Sequence, residues 1–132
     1  MALRRAGQIA IACTALLLCG ASRSREAGVQ LEFGVGMARR DAWREAEYRF
    51  RRALELAPTD AQILNNLAVA CESNGHYEDA EKYYVQALEA DPKDRTIRDN
   101  FERFRIFYAR YLQKDLEETK PAPSDTGPVE PS

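Results

Sequence analysis

Few side chains in this sequence could carry out chemistry. Its single histidine, His76, adjoins Gly75, and a metal site there would need further imidazole or thiolate ligands that the sequence does not place nearby. Cys71 has no histidine expected beside it to activate it as a nucleophile. There is no G-x-S-x-G elbow, no H-E-x-x-H pair and no phosphate-cradling glycine loop. Gly34 and Gly36 read as small-packing or close-approach positions on a helix, since no strand precedes them. The expectation is a protein that is not an enzyme and needs neither cofactor nor metal. Arg39, Arg40, Arg44, Arg49, Arg51 and Arg52 could contact nucleic-acid phosphates, but Glu45 and Glu47 interrupt the run. A solvated face with no nucleic-acid role is the expected reading.

The elements that would position these residues follow from a repeat. Ala46 recurs as Ala80, Phe50 as Tyr84, Ala53 as Ala87, Leu54 as Leu88, Pro58 as Pro92 and Asp60 as Asp94, each 34 residues on. Segments 27–60 and 61–94 therefore carry the same residue classes at the same offsets, which is the mark of a stacked helical array. Within each segment apolar residues recur at three and four, placing them on one helix face, and small residues let two antiparallel helices approach. Each segment is expected to be a helical hairpin. Gly75 can take the left-handed conformation that ends a helix, and Asp41 stands at the equivalent turn of the first hairpin. Pro58 and Pro92 cannot continue the helices before them, and Asp60 and Asp94 are placed to cap the next ones. Glu45 with Arg49, Glu47 with Arg51 and Glu78 with Lys82 stand in the favourable i, i+4 order and read as solvated pairs. Cys71 falls on a core position, as a small apolar filler.

The pattern resembles the tetratricopeptide repeat family. The second segment carries it fully, through Leu64, Leu67, Ala68, Cys71, Gly75, Tyr77, Ala80, Tyr84, Ala87 and Pro92. The first is looser: Phe33, Gly34, Met37, Trp43, Ala46, Phe50, Ala53 and Pro58 fit, while Gln30 stands where a large residue is usual. The resemblance implies that the first helix of each hairpin lines a concave groove for a protein or peptide partner. It places Leu31, Val35, Arg39, Gln62, Asn65, Asn66, Val69, Glu72, Ser73, Asp99, Asn100 and Arg103 in that groove. Asn66 is the leading contact, because an asparagine can pair a donor and an acceptor with an extended backbone. Family members that clamp a C-terminal carboxylate use Lys and Asn in the first repeat, Asn in the second, and Lys and Arg in the third; only Asn66 matches, and Gly28, Glu32, Thr96 and Asn100 occupy the other four positions. Glu32 would repel a carboxylate, and that clamp is disfavoured.

Residues 1–21 are of another kind. Residues 1–25 contain no acidic residue, begin with Arg4 and Arg5, and run through an apolar stretch from Ile9 to Leu18. That is the profile of a secretory signal peptide, with Cys19 and Ala21 flanking Gly20 as the small residues of a cleavage site. Export to a periplasm or the exterior is the expectation. Lipidation of Cys19 is the lesser alternative, since Leu18 fills a position that normally demands a small residue. An evenly apolar middle argues against a mitochondrial presequence. Cleavage after Ala21 removes two of the 19 basic residues, leaving 17 against 21 acidic ones, and Cys71 as the only thiol. Such a chain has no general attraction to nucleic acid or anionic lipid.

After Asp94, Ile97, Phe101, Phe104, Tyr108, Tyr111 and Leu112 share one arc of a helix over 95–117 that should cap the last hairpin, with Ile106 and Phe107 outside the arc or at its margin. Residues 119–132, with four prolines from Pro121 on, read as a disordered tail. The expected protein is all-α: two hairpins of the tetratricopeptide type and a C-terminal cap over residues 22–118. Its expected role is a non-enzymatic interaction module, with an envelope-associated assembly as its setting. The alternative is a structural subunit whose repeats and last helix serve self-association into a homo-oligomer.

Overall fold

The computed structural model describes the backbone of residues 2–119 and the side chains from Gly20 onward, so the Pro-rich tail lies outside the described residues apart from Thr119. Five helices follow one another: α1 (Ala2–Ala38), α2 (Trp43–Leu56), α3 (Ala61–Ser73), α4 (Tyr77–Ala90) and α5 (Arg95–Glu118). α2 packs on α1 and α3, and α4 on α3 and α5, while α3 also touches α1 and α5. Two layers result, α1, α3 and α5 in one and α2 and α4 in the other. α1 runs without a break through Ala21, and Ala27 is its first buried residue among the described side chains.

The helix ends obey the local chemistry of the sequence. α3 closes on Gly75 at φ 80°, with the His76 N–H on the Cys71 carbonyl at 2.9 Å and the Gly75 N–H on that of Glu72 at 3.1 Å. This double bond pattern is the Schellman end, which a left-handed residue makes possible. The first hairpin turns the same way on Asp41, at φ 58°, with the Ala42 N–H on Met37 and the Asp41 N–H on Ala38, both at 3.0 Å. A non-glycine residue pays about 1 kcal/mol for that conformation. Asp60 accepts from the N–H groups of Gln62 and Ile63, and Asp94 from that of Ile97. Each cap is worth about 1 kcal/mol.

The core is the set of repeat positions: Ala46, Phe50, Leu64, Leu67, Ala68, Cys71, Ala80, Tyr84 and Ala87 are buried. Gly34 lets α1 approach α2, because a Cβ there would lie 2.4 Å from the Phe50 ring. Gly36 does not share that role, as a Cβ added to it meets nothing within 4 Å. Phe33, expected in the repeat core, is instead 54% exposed, because no helix among the described residues covers the outer side of α1.

α5 covers the last hairpin through Ile97 and Phe104, both buried, with the Phe104 ring 5.4 Å from that of Tyr84. Phe101 is only half-buried and stacks on the same tyrosine ring at 5.6 Å, so Phe104 is the anchor of the cap. Tyr111 and Leu112, expected in the covered arc, are both 44% exposed. The reason is length: α4 reaches about 21 Å and α5 about 36 Å, so the last turns of α5 outrun their neighbour. Among the described residues no helix is long and apolar enough to cross a membrane.

Candidate interaction surface

Among the described residues, two polar clusters lie on opposite sides of α3. Toward α2 and α4 lies a network centred on Glu47, whose residue is 8% exposed. Its Oε1 accepts from the Arg51 guanidinium at 2.7 and 3.0 Å, and its Oε2 accepts from the Asn74 amide at 2.7 Å. The His76 Nδ1 lies 3.1 Å from that same Oε2. Asn74 also donates to the Trp43 carbonyl at 3.2 Å, and Arg51 reaches Asp79 at 3.1 Å and the Tyr83 hydroxyl at 3.0 Å. Burial alone would raise the Glu47 carboxyl, but hydrogen bonds from Asn74 and Arg51 and the Arg51 charge outweigh it and hold the group below its ordinary value.

This cluster corrects the reading of Glu47 and Arg51 as a solvated pair, and it gives His76 a carboxylate neighbour in Glu47. It also brings Cys71 to 3.8 Å from Arg51. Burial and the neighbouring Glu47 charge push the thiol up to about 12, so it remains protonated and is no nucleophile. No spacing rule links Glu47 to Asn74, His76 or Asp79, which lie 27 or more residues away. Only the i, i+4 pair with Arg51 was legible.

Toward α1 and α5 lies the groove side. The polar residues placed in the groove from the sequence divide there by what they are already bonded to. Asn65 is buried at 8% exposure and accepts from the Asn100 amide at 3.1 Å, and Arg103 donates to Asn100 at 2.7 Å. Glu72 accepts from the Tyr84 hydroxyl at 2.9 Å, which together with burial raises that phenol above its ordinary value. Asp99 pairs with Arg95 at 3.6 Å on an exposed surface. Asn65, Glu72, Asp99 and Arg103 therefore hold the array together or face other residues of the chain. Asn66, Arg39 and Gln62 make no side-chain hydrogen bond or ion pair among the described residues. Their polar groups remain available to a ligand.

These available groups rim two adjoining clefts between α1 and α3. One, of about 220 Å³, is walled by Val35, Ala38 and Val69 over Trp43 and Phe50, with Arg39 and Asn66 at its edge. The other, of about 470 Å³, runs toward the N-terminal side along Gly28, Leu31, Glu32, Gly36 and Gln62, and shares Val35 and Arg39 with the first. Among the described residues no group of three or more His, Cys, Asp or Glu side chains could hold a metal ion.

Elsewhere on the surface, Arg49 pairs with Glu45 at 2.8 Å, Arg51 with Glu47 and Asp79, and Arg52 with Glu55, so the α2 end of the basic run is neutralised in place, while Arg39, Arg40 and Arg44 form no ion pair among the described residues. The expected Glu78–Lys82 pair gives way to other contacts: Glu78 accepts from the Tyr108 hydroxyl at 3.3 Å, and Lys82 stands 5.6 Å over the Tyr83 ring.

Residues 61–94 match the family description "Tetratricopeptide repeat". Among solved structures, one titled "Functional Characterization of Pseudomonas Aeruginosa pilF" is similar, with 27% identity over 74% of this chain and a TM-score of 0.60. The alignment takes in 41% of that longer chain. No curated protein matches the chain. Residues 61–94 thus match a tetratricopeptide repeat, and the all-α fold of the chain is similar to that of this solved structure.

Proposed function

We propose that the chain is a non-enzymatic adaptor that presents the α1–α3–α5 layer to a protein partner. Tetratricopeptide repeats mediate protein–protein interaction as a rule, and such proteins are typically scaffolds. The observation that carries the assignment to this layer is the contrast in bonding: Asn66, Arg39 and Gln62 are unspent beside an apolar cleft, whereas the polar groups behind α3 are bonded to one another. Partner capture from the native source tests it. Asn66→Ala with Arg39→Ala should lose the partner while keeping fold and oligomeric state, and retention of the partner would move the interface elsewhere.

The proposed setting is outside the cytoplasm, in an envelope-associated assembly. Removal of residues 1–21 would leave the packing of α1 from Ala27 onward intact, Ala27 being the first buried residue among the described side chains. N-terminal sequencing of the native protein should give a start near Ser22, and residues 1–18 still present would end both the export and the lipidation readings.

Self-association is the second reading, favoured by one observation. Ile106, Phe107, Leu112 and Leu116 are 50, 41, 44 and 70% exposed on the part of α5 that outruns or flanks α4. Large apolar side chains exposed together on one helix mark an interaction surface. Polar substitution of Ile106 and Phe107 should change the mass seen by light scattering if copies meet there.

A further inference from the structure

The cleft of about 220 Å³ at the turn end of the groove has a chemistry that goes beyond its being a place for a partner. Its floor and walls are apolar, with Phe50 at 2% exposure and Trp43, Val35 and Val69 half-buried. A space of that size takes one large side chain, and Asn66 beside it can bond the backbone of an extended segment, whose peptide groups are free, but not that of a helix interior, whose peptide groups are already paired. Its edge holds a cation, Arg39, that has no carboxylate partner among the described residues, although four other arginines of this chain are paired at 3.6 Å or less. Glu32, the acid of the adjoining cleft, sits two helical turns back along α1, away from this end.

Resting on the groove reading above, we propose that this cleft binds an extended peptide segment in which a large apolar residue is followed directly by an acidic one. The apolar side chain enters between α1 and α3 against Trp43 and Phe50. The neighbouring carboxylate pairs with the Arg39 guanidinium, a planar donor suited to bidentate contact. The peptide group between them bonds the Asn66 amide, which offers both a donor and an acceptor. Glu32 repels a second acid placed toward the other cleft, so the segment has a direction, with its acidic side at the α1–α2 turn. A basic residue in place of the acid would lose the pairing and meet a like charge.

The test uses the full chain and an N-acetylated, C-amidated peptide library randomised at two adjacent positions, so that no terminal carboxylate competes. The wild-type chain should enrich a large apolar residue followed by Asp or Glu, and an enriched peptide should bind about tenfold more weakly to Arg39→Ala, the usual scale for one charge-assisted contact. Arg39→Glu should reverse the preference toward Lys or Arg at the second position. Unchanged melting temperatures for both variants show that the effect is on binding. Enrichment of basic residues, or an acidic preference that survives Arg39→Glu, would overturn the proposal. If the library yields nothing but the native partner is still lost with Asn66→Ala and Arg39→Ala, the peptide chemistry proposed here is wrong and the groove reading stands. If that double variant keeps its partner, both fall.

Discussion

The two sides of α3 use the same kinds of residue for opposite ends. Behind it, Asn74, Glu47, Arg51 and His76 satisfy one another, and a charge is taken out of water because hydrogen bonds and a guanidinium accompany it. In front of it, Asn66 and Arg39 stand at the edge of an apolar cleft with no partner in the described chain. An asparagine on a helix is therefore neither structural nor functional by type. What distinguishes Asn74 and Asn65 from Asn66 is whether the fold delivers a partner within hydrogen-bond distance. The difference also assigns cost: a truncation behind α3 strands buried partners, whereas one in front removes only what a ligand would use.

The contrast is sharpest in its largest expected effect. Phe104, fully buried against Tyr84, holds the packed side closed, and Phe104→Ala should cost about 3–5 kcal/mol in denaturant unfolding. Half-buried Phe101 should cost distinctly less, and equal losses would show that α5 sits differently on the hairpin. Glu47→Ala comes next. It leaves Asn74 without its shortest bond and Arg51 without its closer carboxylate, and should destabilise by about 2 kcal/mol once the partial exposure of Arg51 is allowed for. A change below 0.5 kcal/mol would erase the distinction between the two sides.

Acid should act through the same carboxylate. Because Glu47 is held below its ordinary value of 4.5 in the folded chain, the unfolded chain takes up the proton first as pH falls. Its contribution is complete above about pH 4.5 and is lost as pH drops through the lower folded value. Melting temperatures of the parent and of Glu47→Gln should therefore differ at pH 7 and converge in acid, and a gap that stays constant to pH 3 would place the stabilisation elsewhere. The smallest effect is expected in front of α3. Asn66→Ala and Arg39→Ala should each move stability by no more than about 0.5 kcal/mol, as for surface positions without internal partners. A larger loss from either would mean that the groove side is also internally bonded.

Much of the fold was legible because its causes are local or periodic. The 34-residue offset, the aspartate caps, the left-handed turn at Gly75 and the prolines after α2 and α4 act within a few residues, and the structure shows each where the sequence put it. The groove was legible only as a set of positions. Of its residues, the sequence could not say that Asn65 and Glu72 would be spent on Asn100 and Tyr84, since those partners are supplied by α5 and α4. Nor could it show Glu47 as buried, because an i, i+4 pair on a helix looks alike in solvent and beneath a neighbouring turn. The extent of the cap was misjudged for a related reason: the periodicity of α5 continues to Leu112, but burial stops where α4 ends. Helix period, caps and turn chemistry belong to the chain itself. Which polar groups are satisfied, and which are left for a partner, was decided only when α2, α4 and α5 packed around α3.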